Sequence, residues 1–361
     1  MLNWFRRGFA ASRLDRGRRS PGVERGTVAP QPPQPPQPPP APAPITAARV
    51  FVAAQGNSFM REIAETVVYG LRGNDVAAEL AADEAPSATP PPSLLQLVVA
   101  PHEFQPLFLD RAFDPERVRL LSQAVSVLAT EQPGSEFFEI AFPAVQLGRE
   151  VFDINGTAVR ELIRRGVPAT WVHLGISPPW IAAAVDDGNR PIDLLFVGVS
   201  TPRRDAFLAS HPRLFHDAAA AIYLSRDTRP SSGKTPGFVD ADERNRIFAS
   251  AKILINVHAR KGPYFEWHRA LLAAANGCLL VSETSDDIEP FVPGEHFLMG
   301  SLDEIPGLVQ RCLEDAAERR RLTANARELV TTALDSRITC RRLLSRGRTV
   351  TGETSESRGM R

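Results

Sequence analysis

IDLLFVG (residues 192–198), running on into VSTPRR (199–204), decides how this chain is read. The apolar run from Ile192 to Val197 has the pattern of a buried strand, and Gly198 ends it with a residue that lets backbone approach a ligand closely. Thr201 and Pro202 then open a helix, threonine as N-cap and proline at the first helical position. Arg203 and Arg204 fall in the first turn, where the positive end of the helix dipole disfavours two cations unless an anion lies opposite. A diphosphate would suit both the arginines and the free amides there. Arginines turned to solvent would fit the pattern equally well, at a cost of about a few tenths of a kcal/mol.

Outward from this stretch, strands alternate with helices. Before it, strands are expected near 49–54, 95–100, 125–130, 150–153 and 169–173, and helices near 58–72, 114–122, 135–142 and 155–165, the last capped by Asn155. After Pro191 the alternation restarts, with strands near 192–197, 219–224, 252–257, 278–282 and 295–298. Helices are expected near 202–210, 241–250, 266–276, 302–314 and 316–333, with Ser301 and Glu304 forming a capping box. Strand and helix in turn imply parallel sheets covered on both faces. Two such series, split near Asp186–Asn189, imply two doubly wound, Rossmann-like α/β domains facing a cleft, over residues 46–187 and 188–335.

The ends read differently. Residues 1–45 form a basic and proline-rich arm: seven arginines stand against Asp15 and Glu24 before residue 27, and PQPPQPPQPPPAPAP (30–44) is a polyproline spacer without apolar content to build a core. With Trp4, Phe5 and Phe9 the basic segment could lie on an anionic membrane surface, but proline and glycine soon interrupt it and disorder is the expected state. Residues 336–361 read as a tail, polar and disordered from about Ser345.

The formal net charge is zero, so no global field marks a nucleic-acid binder. Only Lys234, Lys252 and Lys261 of the 42 basic residues are lysine. Cys278, Cys312 and Cys340 are too few and scattered for a disulfide framework or a zinc site, which makes a reducing cytoplasm the expectation. No apolar run reaches bilayer-spanning length, so any membrane contact is expected to be peripheral, at the inner face.

Polar residues gather after the strands. ARKGPYFEWHR (259–269) packs Arg260, Lys261, Glu266, His268 and Arg269 around Gly262 and three aromatic rings, directly after His258. Glu266 and Arg269 are spaced either as a surface ion pair or as a carboxylate for hydroxyls beside a cation for phosphate. Asn276 and Gly277 end the next helix, and Glu283 closes the strand after it. In the first series, LVVAPHEF ends in His102 and Glu103, ATEQPGS in Glu131 and Gln132, and DING in Asp153 and Asn155. His102 could be a general base, bind an acceptor, or satisfy a backbone carbonyl.

FVGVSTPRR, ILINVHARKGPYFEWHR, NGCLLVSE and PGEHFL resemble the C-terminal domain of GT-B glycosyltransferases, in the CgeB-like group often labelled glycosyltransferase family 1. PHEF, TEQPGS, FDING and HLGISPPW are similar to the N-terminal half of bacterial members, so the resemblance spans roughly residues 49–335. It implies a GT-B fold with a nucleotide-sugar co-substrate held by the second domain, an acceptor (glycan, lipid or protein) held by the first, and neither metal nor cofactor. It implies donor-binding roles for Gly198, Arg203, Arg204, His258, Lys261, Glu266, Arg269, Gly277 and Glu283. His102 and Glu103 become the catalytic candidates, and Glu131 and Asn155 the acceptor-side ones. Hexosyl transfer from a nucleotide-sugar, without a metal, is the implied reaction. Leu272 departs from the pattern, since many retaining members carry glutamate five residues before that glycine. A degenerate module that binds nucleotide or glycan without turnover, or an epimerase or hydrolase on the same fold, therefore stays open.

Overall fold

The computed structural model describes residues 43–104, 123–182, 189–226 and 239–345. The arm before residue 43, the expected helix at 114–122 and the tail after 345 lie outside the described residues. The first sheet has strands β1 (Ala47–Val52), β2 (Ala77–Ala82), β3 (Leu94–Val99), β4 (Ser126–Ala129), β5 (Val151–Asp153) and β6 (Thr170–Trp171), all parallel in the order β2-β1-β3-β4-β5-β6. The second has β7 (Ile192–Val199), β8 (Ala220–Ser225), β9 (Ala251–Asn256), β10 (Leu279–Glu283) and β11 (Leu298–Gly300), parallel in the order β8-β7-β9-β10-β11. The two doubly wound α/β domains expected from the sequence are present.

Helices α1 (Ser58–Arg72), α2 (Glu136–Val145) and α3 (Gly156–Arg164) belong to the first series. The second has α4 (Pro202–Ser210), α5 (Pro212–His216), α6 (Ala241–Ser250), α7 (Trp267–Ala275), α8 (Ile305–Glu314) and α9 (Ala316–Thr332). Their starts follow from short polar side chains. Asn57 Oδ1 accepts from Phe59 N–H at 3.0 Å, Ser135 Oγ from Phe138 N–H at 2.8 Å, and Thr201 Oγ1 from Arg204 N–H at 3.3 Å. Glu304 does reach back to the Ser301 N–H, at 2.8 Å, although regular helix begins only at Ile305. One apolar cluster runs through both domains, joining β1, β3 and α1 to β9, α7 and α9, while a separate cluster backs the far face of each sheet.

Two features differ from the sequence reading. AAELAA forms β2, paired along its whole length with β1, although alanine and glutamate are poor strand formers and give no strand pattern. The chain also does not leave the fold at 335. Residues 336–344 make two short helices, α10 (Ser336–Thr339) and α11 (Arg341–Leu344), which return to the first domain and bury Ser336, Cys340 and Leu343. Asn74 Nδ2 donates to Arg337 O at 2.7 Å, and Ile176 bridges to Asp335. Gly70 makes this seat possible, because a Cβ there would lie 2.4 Å from Ser336 O and 2.6 Å from Cys340 Sγ. Gly70→Ala should therefore lower stability by about 1–3 kcal/mol despite its better helix propensity. A variant melting at or above the wild-type temperature would refute this seat.

Candidate functional site

In each sheet the strand order reverses beside the first strand, between β1 and β3 and between β7 and β9, and ligand crevices open beyond the carboxyl ends at such points. At the second of these, Arg204 is 1% exposed. Its Nε donates to Val257 O at 2.8 Å, Nη1 to Val199 O at 3.0 Å, and Nη2 to Glu266 Oε1 at 2.9 Å. Burial and the neighbouring Arg269 cation pull its pKa down to about 10 against the attraction of Glu266, which leaves it charged at neutral pH. Arg269 pairs with the other oxygen of Glu266 and donates to Asn256 Oδ1 at 2.8 Å. Gly198 is explained by these two guanidinium groups: a Cβ there would sit 2.6 Å from Arg204 Nη1 and 2.7 Å from Arg269 Nη2.

Arg203 makes a bidentate pair with Glu283, whose Oε2 also accepts from His258 N–H at 3.1 Å. The two arginines at the start of α4 are thus offset by protein carboxylates. The sequence reading named no protein carboxylate opposite them, and each is paired with one. Three guanidinium groups against two carboxylates still leave the crevice positive, beside the N-terminal amides of α4.

His258 is fully buried, and burial lowers its pKa despite Glu283. Gly262 O, 2.8 Å from Nδ1, can only accept, so Nδ1 carries the hydrogen and Nε2 faces Ser285 Oγ at 3.1 Å. Tyr264 stacks on the ring with centroids 4.5 Å apart. The loop held in this way presents Arg260 and Lys261 as exposed side chains, and neither forms a salt bridge among the described residues.

One expected site position, Gly277, lies elsewhere, as do Leu272, which replaces the usual glutamate, and His268 of the polar loop. Gly277, with φ +67, closes α7 at the amino end of β10, away from the strand ends that carry the site. Leu272 is 1% exposed and belongs to the shared apolar cluster. His268 turns from the crevice to pack against Phe59 and Trp180, with Nε2 3.7 Å from Glu62. Asp240 opens α6, where its Oδ1 accepts from Glu243 N–H at 2.8 Å.

On the first domain's edge, Glu103 accepts from Asn57 N–H at 2.9 Å, and a Cβ on Gly56 would meet its Oε2 at 2.3 Å. That oxygen is committed to holding the start of α1. Burial raises its pKa against that hydrogen bond. The His102 side chain is only 8% exposed, its Nδ1 has no partner among the described residues, and Nε2 lies 3.6 Å from Glu131 Oε1; burial lowers its pKa to about 4, so the ring is neutral. Burial, then the charge of Glu103, raises the pKa of Glu131 against Thr130 and the Arg260 cation of the second domain. Asn155 occupies the cap position of α3 without capping it; its Nδ2 donates to Thr130 O at 3.0 Å, tying β5 to β4. Asp153, wholly buried, has its pKa raised well above the usual range by burial.

Asn256 and Ser285 were not singled out from the sequence. The one signal for Asn256 is a polar residue closing the apolar strand ILIN, and Ser285 has none.

Residues 204–345 match the sequence model of a family described as Glycosyl transferase-like. A search of curated proteins gave no match. Among solved structures, a sucrose-phosphate synthase from Thermosynechococcus elongatus is similar with a TM-score of 0.55 at 12% identity, over 82% of this chain and 97% of that one. HepE from Anabaena, in complex with UDP and glucose, gives 0.54 at 9% identity, over 82% and 97%. An alpha-glucosyltransferase in complex with UDP and a 13-mer DNA containing a HMU base gives 0.53 at 10% identity, over 83% and 98%. These likenesses bear out the GT-B fold, two doubly wound domains about a cleft.

Proposed function

We propose that this GT-B chain, whose second half carries the Glycosyl transferase-like match, is a glycosyltransferase that moves a hexosyl group from a nucleotide-sugar to an acceptor hydroxyl. The observation that carries the reading is the convergence of Arg203, Arg204 and Arg269 with the α4 N-terminus at one strand-end crevice. The leaving diphosphate would meet Arg203, the amides of α4, and the exposed Arg260 and Lys261. Arg204 and Arg269, already fixed by Glu266, would shape and charge the floor. Glu283 and Glu266 would accept from donor hydroxyls beside the arginines they pair with. These cations and amides do the work a metal ion does elsewhere, so the reaction is metal-independent in this reading.

On the facing edge, Glu131 beside His102 takes over the base role that the sequence assigned to His102 or Glu103. The acceptor hydroxyl gives its proton to Glu131, its oxygen bonds to the anomeric carbon, and the bond from that carbon to the diphosphate oxygen breaks with its electron pair leaving on the nucleotide. UDP is the first nucleotide to test, since two of the similar proteins are described with it.

The second reading, a binding module without turnover, is favoured by buried Leu272 at the usual glutamate position. Calorimetric titration of the full chain with UDP, GDP, ADP and CDP, each with and without EDTA, tests both. One nucleotide should bind selectively and survive EDTA. Loss of binding in EDTA would overturn metal independence. Binding without transfer to any acceptor would favour the module, and no binding at all would remove the donor site.

A further inference from the structure

Strand β8 ends the order of the second sheet, with β7 its one strand partner among the described residues. Ala219 O and Ser225 O accept from the β7 side, at 2.8 Å from Asp193 N–H and 2.7 Å from Ser200 N–H. Backbone groups alternate in direction along a strand, so the N–H and C=O groups of Ala220, Ile222 and Leu224 point away from β7. Such an edge is a template for a further strand, and native edges are blunted by charge or proline. AAIYLS has neither. It shows apolar bulk instead: Ile222 is 45% and Tyr223 39% exposed, on opposite faces of the sheet.

The strand is complementary to itself when read in the opposite direction. About a two-fold axis through Ile222, Ala220 lies opposite Leu224 and Ala221 opposite Tyr223, so each large side chain meets a small one and Ile222 meets its own copy. In that register the outward groups of Ala220, Ile222 and Leu224 also oppose one another, as an antiparallel ladder requires. A slip of one residue would set outward groups against inward ones.

Charge fits the same arrangement. Asp217, whose side chain is 70% exposed and meets His216 at the surface, stands before the strand. Arg226 follows the strand directly, exposed and without a salt bridge among the described residues. Antiparallel pairing brings Asp217 of each copy beside Arg226 of the other, whereas parallel pairing would set like charge against like.

We infer that β8 is a self-association edge: two copies of this chain join through it in antiparallel register about Ile222, and their second sheets become one. The crevice between β7 and β9 lies on the other side of β7 and stays open.

The test is sedimentation velocity of the full chain from about 1 to about 100 μM, the affinity range suited to a small interface. A monomer–dimer equilibrium is expected, with the amides of Ile222 and Leu224 better protected from hydrogen exchange as concentration rises. Ile222→Lys should keep the chain monomeric throughout, since it sets two like charges on the axis. Arg226→Asp should weaken the dimer about tenfold, and adding Asp217→Arg to it should return affinity to within about threefold of the wild type. Urea midpoints show that each variant is folded. A chain monomeric over the whole range, a dimer that Ile222→Lys leaves intact, or a charge exchange that restores nothing overturns the proposal.

Discussion

Arg204→Ala should destabilise the folded chain by about 3–5 kcal/mol, the range for breaking a buried ion pair, while its neighbour Arg203→Gln costs under about 1 kcal/mol. Without Arg204, Val257 O and Val199 O lose donors inside the protein, and Glu266 keeps only Arg269. Each stranded buried acceptor costs about 1–3 kcal/mol, so the contributions overlap within the stated total. Arg203 is less enclosed, at 22% side-chain exposure, and its loss leaves Glu283 its bond from His258 N–H. Nucleotide affinity should rank the pair differently. Arg203→Gln should weaken binding about tenfold in a protein of near-native stability, because a charge-assisted contact to the diphosphate is gone. Urea unfolding with an unchanged slope, followed by titration of each folded variant, separates the effects. Native stability in Arg204→Ala would show that its enclosure contributes nothing, and native affinity in Arg203→Gln would remove it from the donor site.

The contrast between these neighbours also marks where sequence reading stops. The strand, the Thr201 cap and the position of both arginines in the first turn followed from local chemistry, because a strand-to-helix transition is written in adjacent residues. Which arginine is enclosed did not follow. The partners Glu266 and Glu283 lie 62 and 80 positions away, and no periodicity specifies a pairing at that distance. Gly198 in sequence suggests room for a ligand, whereas the groups packed over it are side chains of the protein itself. The family resemblance puts Gly277 at the site, but its positive φ serves the end of α7. The return of residues 336–344 to the first domain is illegible in the sequence for a related reason: two four-residue helices are too short to show an amphipathic period. On the acceptor edge, strand-end position alone grouped Glu103 with Glu131. The Asn57 amide that occupies one and the Arg260 charge that reaches the other come from distant parts of the chain.

Glu62→Gln should cost about 3 kcal/mol at neutral pH and progressively less as the solution is acidified. Glu62 lies in the first turns of α1, and its partners come from the other domain: Arg244 of α6 makes two bonds to it, at 3.0 and 2.9 Å, and His268 of α7 faces it. Arg244 also lies over the Phe59 ring, with Cζ 5.6 Å from the centroid. Burial by itself would raise the Glu62 pKa. His268 and Arg244 outweigh that and bring it from 4.5 to about 2. A carboxylate whose folded value lies below its unfolded value contributes stability that is fully present above about 4.5 and is lost as pH falls through about 2. The glutamine variant lacks this contribution at every pH, so the gap between the two proteins should be widest near neutrality and close toward pH 2. Urea midpoints of both proteins at several acidic and neutral pH values measure it. Glu62 sits one turn from the α1 start that Glu103 holds, so this pair fastens the domains beside the proposed acceptor edge. Equal stability at neutral pH, or a gap that widens in acid, would mean that this pair does not help to fasten the domains, leaving that to the shared apolar cluster and to contacts such as Arg160 with Asp287.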